Sequence, residues 1–343
     1  MALFIAAGNG GSEKIMNNSF IWLIIKRIAF SILILFLLIS FVFILLRLSP
    51  GNISQKFISP RLSPELKEKV TESFGLNKSV PEQYALFLAN LLKGDLGISY
   101  NYREPVANVI KEYIPFTLLF TITGFLAQAV TGIMLALIAV KYAGRKTDKV
   151  ISAINLTAYS VPAFVVGIFL IYIFSSWLNL FPSSGIVSVN HDEFSFWGKI
   201  NDYFSHLVLP LITLAFGGSA VYFKYLRDNI EDVYNKPFVT NLRAYGVSER
   251  KILISHIIPN AVNPLISIAG VGLGVLFGGA LITEVIFGLP GMGRLSVNAI
   301  LTRDYPLVVG CTLMAGFFIV VCNLAADIIK ALIDKRLIKQ IIN

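Results

Sequence analysis

Long apolar runs alternate with shorter polar links along this chain. Six runs reach the roughly 20 residues a helix needs to cross the hydrocarbon core of a bilayer. They are Phe20–Leu46, Phe116–Val140, Ile151–Trp177, Leu207–Tyr225, Val262–Phe287 and Leu307–Ala331. The first is followed by RLSPGN and not by a small-residue cleavage site, so it reads as a retained span and not a cleaved signal peptide. Pro162 lies inside span three and Pro210 near the start of span four; both predict kinks with freed backbone carbonyls. The pattern predicts an all-α membrane protein of six transmembrane helices.

The polar links carry their own signals. Residues 48–115 form a sizeable region between spans one and two. Within it Ser63 and Pro64 predict a helix start and Gly75 its end, Pro81–Leu92 predicts a second helix stopping at Gly94, and Pro105–Tyr113 a third short one leading to Pro115 and span two. These read as helices lying on the outer membrane face, suited to binding a partner or covering a gate. The expected divisions are a tail at 1–18, span one at 19–47, the external region at 48–115, a core at 116–331 containing a cytoplasmic loop at 237–261, and a tail at 332–343.

Composition agrees with that reading. The chain has 343 residues, 55% hydrophobic and 14% charged, against about 25% charged in soluble domains. Its net charge of +9 would suggest nucleic acid in a soluble protein. Here the basic residues flank apolar runs, so membrane orientation explains them and no nucleic-acid partner is expected. Lys14 precedes span one and Lys26 and Arg27 lie in its first turns, while Lys141, Arg145, Lys146 and Lys149 fill the link between spans two and three. Lys224 at the end of span four is followed by Arg227, Lys236, Arg243, Arg250 and Lys251 in the link to span five, and Lys330 at the end of span six by Lys335, Arg336 and Lys339. The alternate short links are poorer, so both termini and the 226–261 link are expected in the cytoplasm. Cys311 and Cys322 share one apolar run and read as small buried residues.

Catalytic chemistry is not visible. No GxxxxGK[ST] occurs, and GNGGSEK at 8–14 lacks its spacing, so this chain is expected to bind no nucleotide or other cofactor itself. His191, Asp192 and Glu193 are adjacent, and three adjacent residues cannot all face one ion from a helix or strand, so no metal site is expected. Glu284 and Asp327 are the main ionisable residues of the spans, too few for an ion-coupled carrier.

The polar stretch TNLRAYGVSERKILISHIIPNAVNPL, residues 240–265, is the most informative. Pro237 can open a helix, Gly246 can end it with a positive φ, and Ser248 with Glu249 can start another. Pro259-Asn260 is expected to break that second helix, and Asn263-Pro264 to launch span five. Phe238, Leu242 and Tyr245 share one face of the first helix and are expected to be exposed, which implies a docking partner. The plainer reading is a loop folded on its own membrane domain.

This stretch resembles the cytoplasmic signature loop of ABC importer permeases, in which E-A-A, three residues, Gly and nine residues precede I-x-L-P. Gly246 is followed by nine residues and then His256-Ile257-Ile258-Pro259, while Thr240-Asn241-Leu242 stand at the E-A-A positions. In the dipeptide, oligopeptide and nickel class the pattern reads YV..ARAKGL…H..RNA..P. Phe238, Val239, Arg243, Ala244, Gly246, His256, Asn260, Ala261 and Pro264 match it, while Leu242, Tyr245 and Pro259 replace its alanine, lysine and arginine. RLSPGN (47–52), FGLNKSVPEQY (74–84), GDLGIS (94–99), PVANVI (105–110), SVPAF (160–164), HLVLP (206–210), GGALITEVIFGLPGMGRL (278–295), RDYPLVVG (303–310) and NLAAD (323–327) also resemble stretches of that class; DKR (334–336) departs from its D-P-R. Chains of the class usually begin near the equivalent of Met16, so residues 1–15 are expected to be an extension or a misassigned start.

The resemblance implies a type I ABC importer permease fold in a bacterial cytoplasmic (inner) membrane. It implies a second homologous permease, usually a different chain, two ABC ATPase subunits that hold ATP and Mg, and an external solute-binding protein. Lipid is the remaining partner. The coupling loop would comprise Phe238, Val239, Leu242, Arg243, Ala244, Gly246, His256, Pro259 and Asn260, and an outer gate or turn would comprise Glu284, Pro290, Gly291 and Gly293. The expected function is ATP-driven import of peptides or a similar small solute by alternating access. The alternative is a permease-fold scaffold or assembly protein without transport. The sequence does not choose among dipeptide, oligopeptide, nickel and other solutes; peptide is the default.

Overall fold

The computed structural model describes residues 9–48, 78–277 and 280–333. Among them the protein is helical, with one isolated backbone bridge between Ile98 and Pro105. Five helices are long and apolar enough to cross a membrane, or six if one sharply bent pair counts as a span. The predicted helix from Ser63 to Gly75 lies outside the described residues.

Helix α1 spans Asn9–Leu48, and α2 spans Val80–Leu92. Glu82 in the first turn of α2 accepts the backbone N–H of Ser79 at 2.9 Å, one half of a capping box. The Ser79 hydroxyl also donates to this carboxylate, and that bond first and the backbone N–H second hold the Glu82 carboxyl below its ordinary value. Helix α2 lies against α1, with Phe43 stacked on Phe87 at 5.2 Å and the Tyr84 and Ser40 hydroxyls 2.5 Å apart.

Helix α3 runs unbroken from Val106 to Lys141, through Pro115. The sequence predicts two elements here, divided at 115. Packing overrides the local cost of proline, because the turns before Pro115 are held by long-range contacts. Val106, Val109 and Ile110 are buried in one cluster with Met292, Leu295 and Leu307. The third predicted external helix and span two are therefore one continuous rod.

Span three departs most from expectation. Helix α4 spans Lys146–Ser160, and α5 spans Ala163–Leu170 and continues as a π-helix over Ile171–Trp177. The two meet at 102°, a corner and not a kink. Pro162 pushes Val161 into an extended conformation, with ψ 125°, so the helix cannot continue through it.

Helix α6 spans Phe196–Tyr234 and passes through Pro210 without stopping. It packs along α3, where the backbones approach closely: a Cβ on Gly132 would overlap the Ser219 carbonyl and sit 2.7 Å from the Tyr222 Cβ. Helix α7 spans Pro237–Ala244, and α8 spans Glu249–Ile252. A π-turn over Leu253–Ile257 leads from α8 directly into α9, Ile258–Phe277. Pro259 and Pro264 thus lie inside a continuous rod, contrary to the predicted break. The wider π-turn precedes Pro259, where the proline ring and its missing N–H would disrupt a regular α-turn. The Asn260 side-chain amide donates to the His256 carbonyl at 2.6 Å.

Three further helices complete the described residues: α10, Leu281–Ile286; α11, Met292–Leu301; and α12, Tyr305–Ile333. Helices α9 and α12 pack through small residues, and a Cβ on Gly270 would overlap that of Ala326. Large apolar side chains such as Leu126, Ile168 and Val275 face outward on the spans, as a hydrocarbon solvent allows.

Candidate functional site

The polar stretch between α6 and α9 folds as helix, glycine turn, helix. Lys236 is extended at the N-cap and Pro237 occupies the first turn. The end of α7 is a full Schellman motif: the Gly246 N–H reaches the Arg243 carbonyl at 2.9 Å, and the Val247 N–H the Leu242 carbonyl at 3.1 Å. Gly246 has φ +75°, which L side chains rarely adopt, yet a Cβ there would meet nothing within 4 Å. Within this chain its glycine is required by the turn and not by close packing.

The segment is mortised to the spans by its apolar side. Val239, Ile252 and Ile257 are fully buried in a cluster with Leu226 and Ile230 of α6 and Ala136 of α3. Phe238 and Leu242 pack against that cluster. The apolar face expected to lie open is therefore mostly turned inward; of its three residues only Tyr245 is exposed, at 86%. Thr240, Asn241, Arg243 and Ala244 share the open side with Tyr245, as do Pro259 and Asn260 farther along, while His256 is half-buried.

Arg243 fastens the turn. Its Nε donates to Glu249 Oε1 at 2.5 Å, and a second nitrogen to Oε2 at 3.3 Å. Its guanidinium lies 5.4 Å over the Tyr234 ring at the end of α6. The hydrogen bond it donates to the Glu249 carboxylate raises the Arg243 pKa above its ordinary value. A second, more buried pair joins α4 to α6: Arg227 meets Asp148 at 2.6 Å, and the Gly144 N–H donates to the same carboxylate at 3.0 Å. Sequence reasoning counted Arg227 only as an orientation signal. Its pairing spans 79 residues and left no local trace.

The outer-turn residues form a second, separate unit. Glu284 on α10 is fully buried. Its Oε2 accepts the Arg294 N–H at 2.9 Å, and the Gly293 N–H faces the same carboxylate. A carboxylate at the exposed N–H groups of a helix start is electrostatically favoured, and this one caps α11. Gly291 and Gly293 leave room for it: a Cβ on Gly291 would overlap the carboxylate, and one on Gly293 would sit 2.6 Å from the Leu281 Cα. Pro290 is half-buried beside them. Thr117 of α3 accepts the Met292 N–H at 2.8 Å, which ties the unit to the long helix. Buried this way, Glu284, Gly291 and Gly293 shape the turn and present no open surface.

Two further buried carboxylates were not singled out by sequence. Asp304 accepts the Ser99 hydroxyl at 2.5 Å, the Asn101 N–H at 3.0 Å and the Leu307 N–H at 3.3 Å, joining the loop after α2 to the start of α12. Asp202 accepts the Ser188 N–H at 2.9 Å and lies 2.7 Å from His191 Nδ1. His191 thus turns away from Asp192 and Glu193. Among the described residues no group of His, Cys, Asp and Glu is arranged to hold a metal ion.

The model of the binding-protein-dependent transport system inner membrane component matches residues 110–339, and the model of that component's N-terminal part matches residues 20–121. The chain belongs to this permease family. The nickel import system permease protein NikB of Staphylococcus aureus strain USA300 is 33% identical over 313 residues, covering 90% of this chain and 90% of the relative. NikB of strain MRSA252 is 33% identical over 316 residues, covering 91% and 90%. Among solved structures, two inward-facing crystal forms of the MetNI methionine ABC transporter superpose with TM-scores of 0.51 and 0.50 at 16% identity, covering 66% of this chain and 96% of theirs. The fold is thus that of an ABC importer permease, and this protein is a multi-pass inner-membrane permease subunit that works with ATPase and binding-protein partners. The scaffold alternative is not favoured.

Proposed function

We propose that the segment from Pro237 to Asn260 is the coupling element of this permease, docking on an ATPase subunit by the side that carries Tyr245. One observation carries the reading: Val239, Ile252 and Ile257 are fully buried against α3 and α6 while the opposite side of α7 stays open. A helix fixed this firmly moves as one body with the spans, so a push on its open side passes to α3 and α6. ATP and Mg bind in the ATPase partners, and this chain binds no cofactor. Two permease chains of different sequence, two ATPases and an external binding protein make up the complex. Both termini and the coupling element face the cytoplasm, supported by the basic links. The turn held by Glu284, Pro290, Gly291 and Gly293 supports the outer gate from beneath and does not touch cargo.

The cargo is a small solute of the class carried by peptide and nickel permeases. The NikB relatives favour nickel as the first cargo to test. Mild-detergent purification of the tagged chain from its native membrane tests the assembly. Recovery with a P-loop ATPase and a second permease is expected, and Tyr245→Cys should cross-link to the ATPase. Repeated recovery of the chain alone under cross-linking would overturn the proposal. Uptake of labelled nickel against labelled dipeptide then decides the cargo.

A further inference from the structure

A groove of about 690 Å³ lies between α1, α9 and α12, away from the coupling element and the outer turn. Its walls change character along their length. On α1, Trp22, Lys26 and Arg27 give way to Phe30 and Ile34; on α12, Asp327 and Asn323 give way to Val320 and Ile319. The two helices run in opposite directions, since Arg27 meets Asp327 at 3.1 Å while Leu35, farther along α1, lies against Gly316, farther back on α12. Both walls therefore turn apolar in the same direction, over about 12 Å for the eight helical steps from Lys26 to Ile34. Farther along, α1 closes on α12, where a Cβ on Gly316 would sit 2.6 Å from a Leu35 methyl. The groove has a charged mouth, an apolar shaft and a floor.

The mouth is cationic. Asp327 pairs with Arg27, while Lys26 lies 5.4 Å over the exposed Trp22 ring and has no carboxylate partner among the described residues. Two cations against one carboxylate leave a net positive charge. Ser31, Ser267 and Asn323 add neutral hydrogen-bonding groups just inside. The shaft opens sideways: Phe30, Ile34 and Val271 are each more than half exposed on spans that lie in lipid. We propose that this groove binds an anionic phospholipid, with its phosphate at Lys26 and Arg27 and one acyl chain along Phe30, Ile34, Val271 and Ile319. The match is one of polarity along an axis: an anion joined to a hydrocarbon chain is the ligand whose two ends suit the two ends of the groove. Basic pockets between spans select such headgroups. The site rests on the membrane character of the spans and is independent of the cargo.

The test uses the complete importer complex in nanodiscs of phosphatidylglycerol and phosphatidylethanolamine, with retained lipid counted by native mass spectrometry. Retained phosphatidylglycerol is expected in the unaltered complex. Lys26→Gln should lower retention roughly fivefold, the effect of one basic residue near an anionic lipid. Ile34→Trp, which fills the shaft and leaves the charges alone, should also lower it. Both variants are first checked for intact assembly, and Ile34→Trp serves if Lys26→Gln fails to assemble. Unchanged retention in an assembled variant would overturn the site. So would displacement of the lipid by millimolar inorganic phosphate, which would mark a free-anion site only. Cross-linking of Ser31→Cys to a second permease chain would show the groove covered by protein and would overturn it as well.

Discussion

Gly246 offers the sharpest test of the coupling element, because the structure separates two reasons for a glycine. Its φ of +75° demands one, while the space around its Cβ is open within this chain. An alanine there carries only the left-handed backbone penalty, about 1–2 kcal/mol, or roughly a five- to thirtyfold bias against the native turn. Asparagine enters that region more readily. Valine, branched at Cβ, is the worst fit. A Cβ at this position meets nothing within 4 Å, so each variant should reach the membrane and assemble. The assay is cargo uptake and cargo-stimulated ATP hydrolysis in the reconstituted complex. Gly246→Asn should keep most uptake, Gly246→Ala should lose some, and Gly246→Val should hydrolyse ATP without uptake. Wild-type uptake by Gly246→Val would refute the coupling role. Equal damage by Asn and Val would refute the backbone argument and place a partner's surface against the Cβ position.

Other consequences follow from the buried carboxylates and the open side of α7. Glu284→Ala removes the cap of α11 and should lower stability by about 1.5–3 kcal/mol, the worth of hydrogen bonds to a charged group, seen as a lower melting temperature in detergent. Gly291→Ala should do comparable damage by overlap with that carboxylate, and Glu284→Gln should restore part of the melting temperature if the cap is the cause. Arg227→Ala strands the Asp148 carboxylate. With Asp148 buried and Arg227 about one-third exposed, the loss should fall near 2 kcal/mol, between an exposed and a fully buried pair. Asp148→Asn combined with Arg227→Gln should cost less than Arg227→Ala alone. Arg243→Ala, at an exposed pair, should leave the melting temperature nearly unchanged, so a fall in uptake would report docking; an equal fall in both would show a folding role instead.

The sequence by itself determined which stretches lie in lipid, because burying 20 apolar residues in hydrocarbon needs only their composition. It also determined the helix–glycine–helix form of the insert, since Pro237, Gly246 and Ser248 act through their own backbone preferences. The resemblance to importer permeases was legible for the same reason: its motifs are short and local. The tertiary structure decided which prolines break a rod. Pro115, Pro210, Pro259 and Pro264 stay within continuous helices while Pro162, with Val161 extended before it, makes a corner of 102°; at Pro115 the buried Val106, Val109 and Ile110 hold the turns that precede the proline. It also decided which side of α7 is open, because Phe238 and Leu242 pack against a buried cluster assembled from α3, α6 and the segment that follows α7. The carboxylates Asp148, Glu284 and Asp304 carry the same lesson. Their partners are an arginine 79 residues away, a helix start ten residues on and a loop some 200 residues back, and a side chain's worth as a clamp exists only where the fold delivers the donor to it.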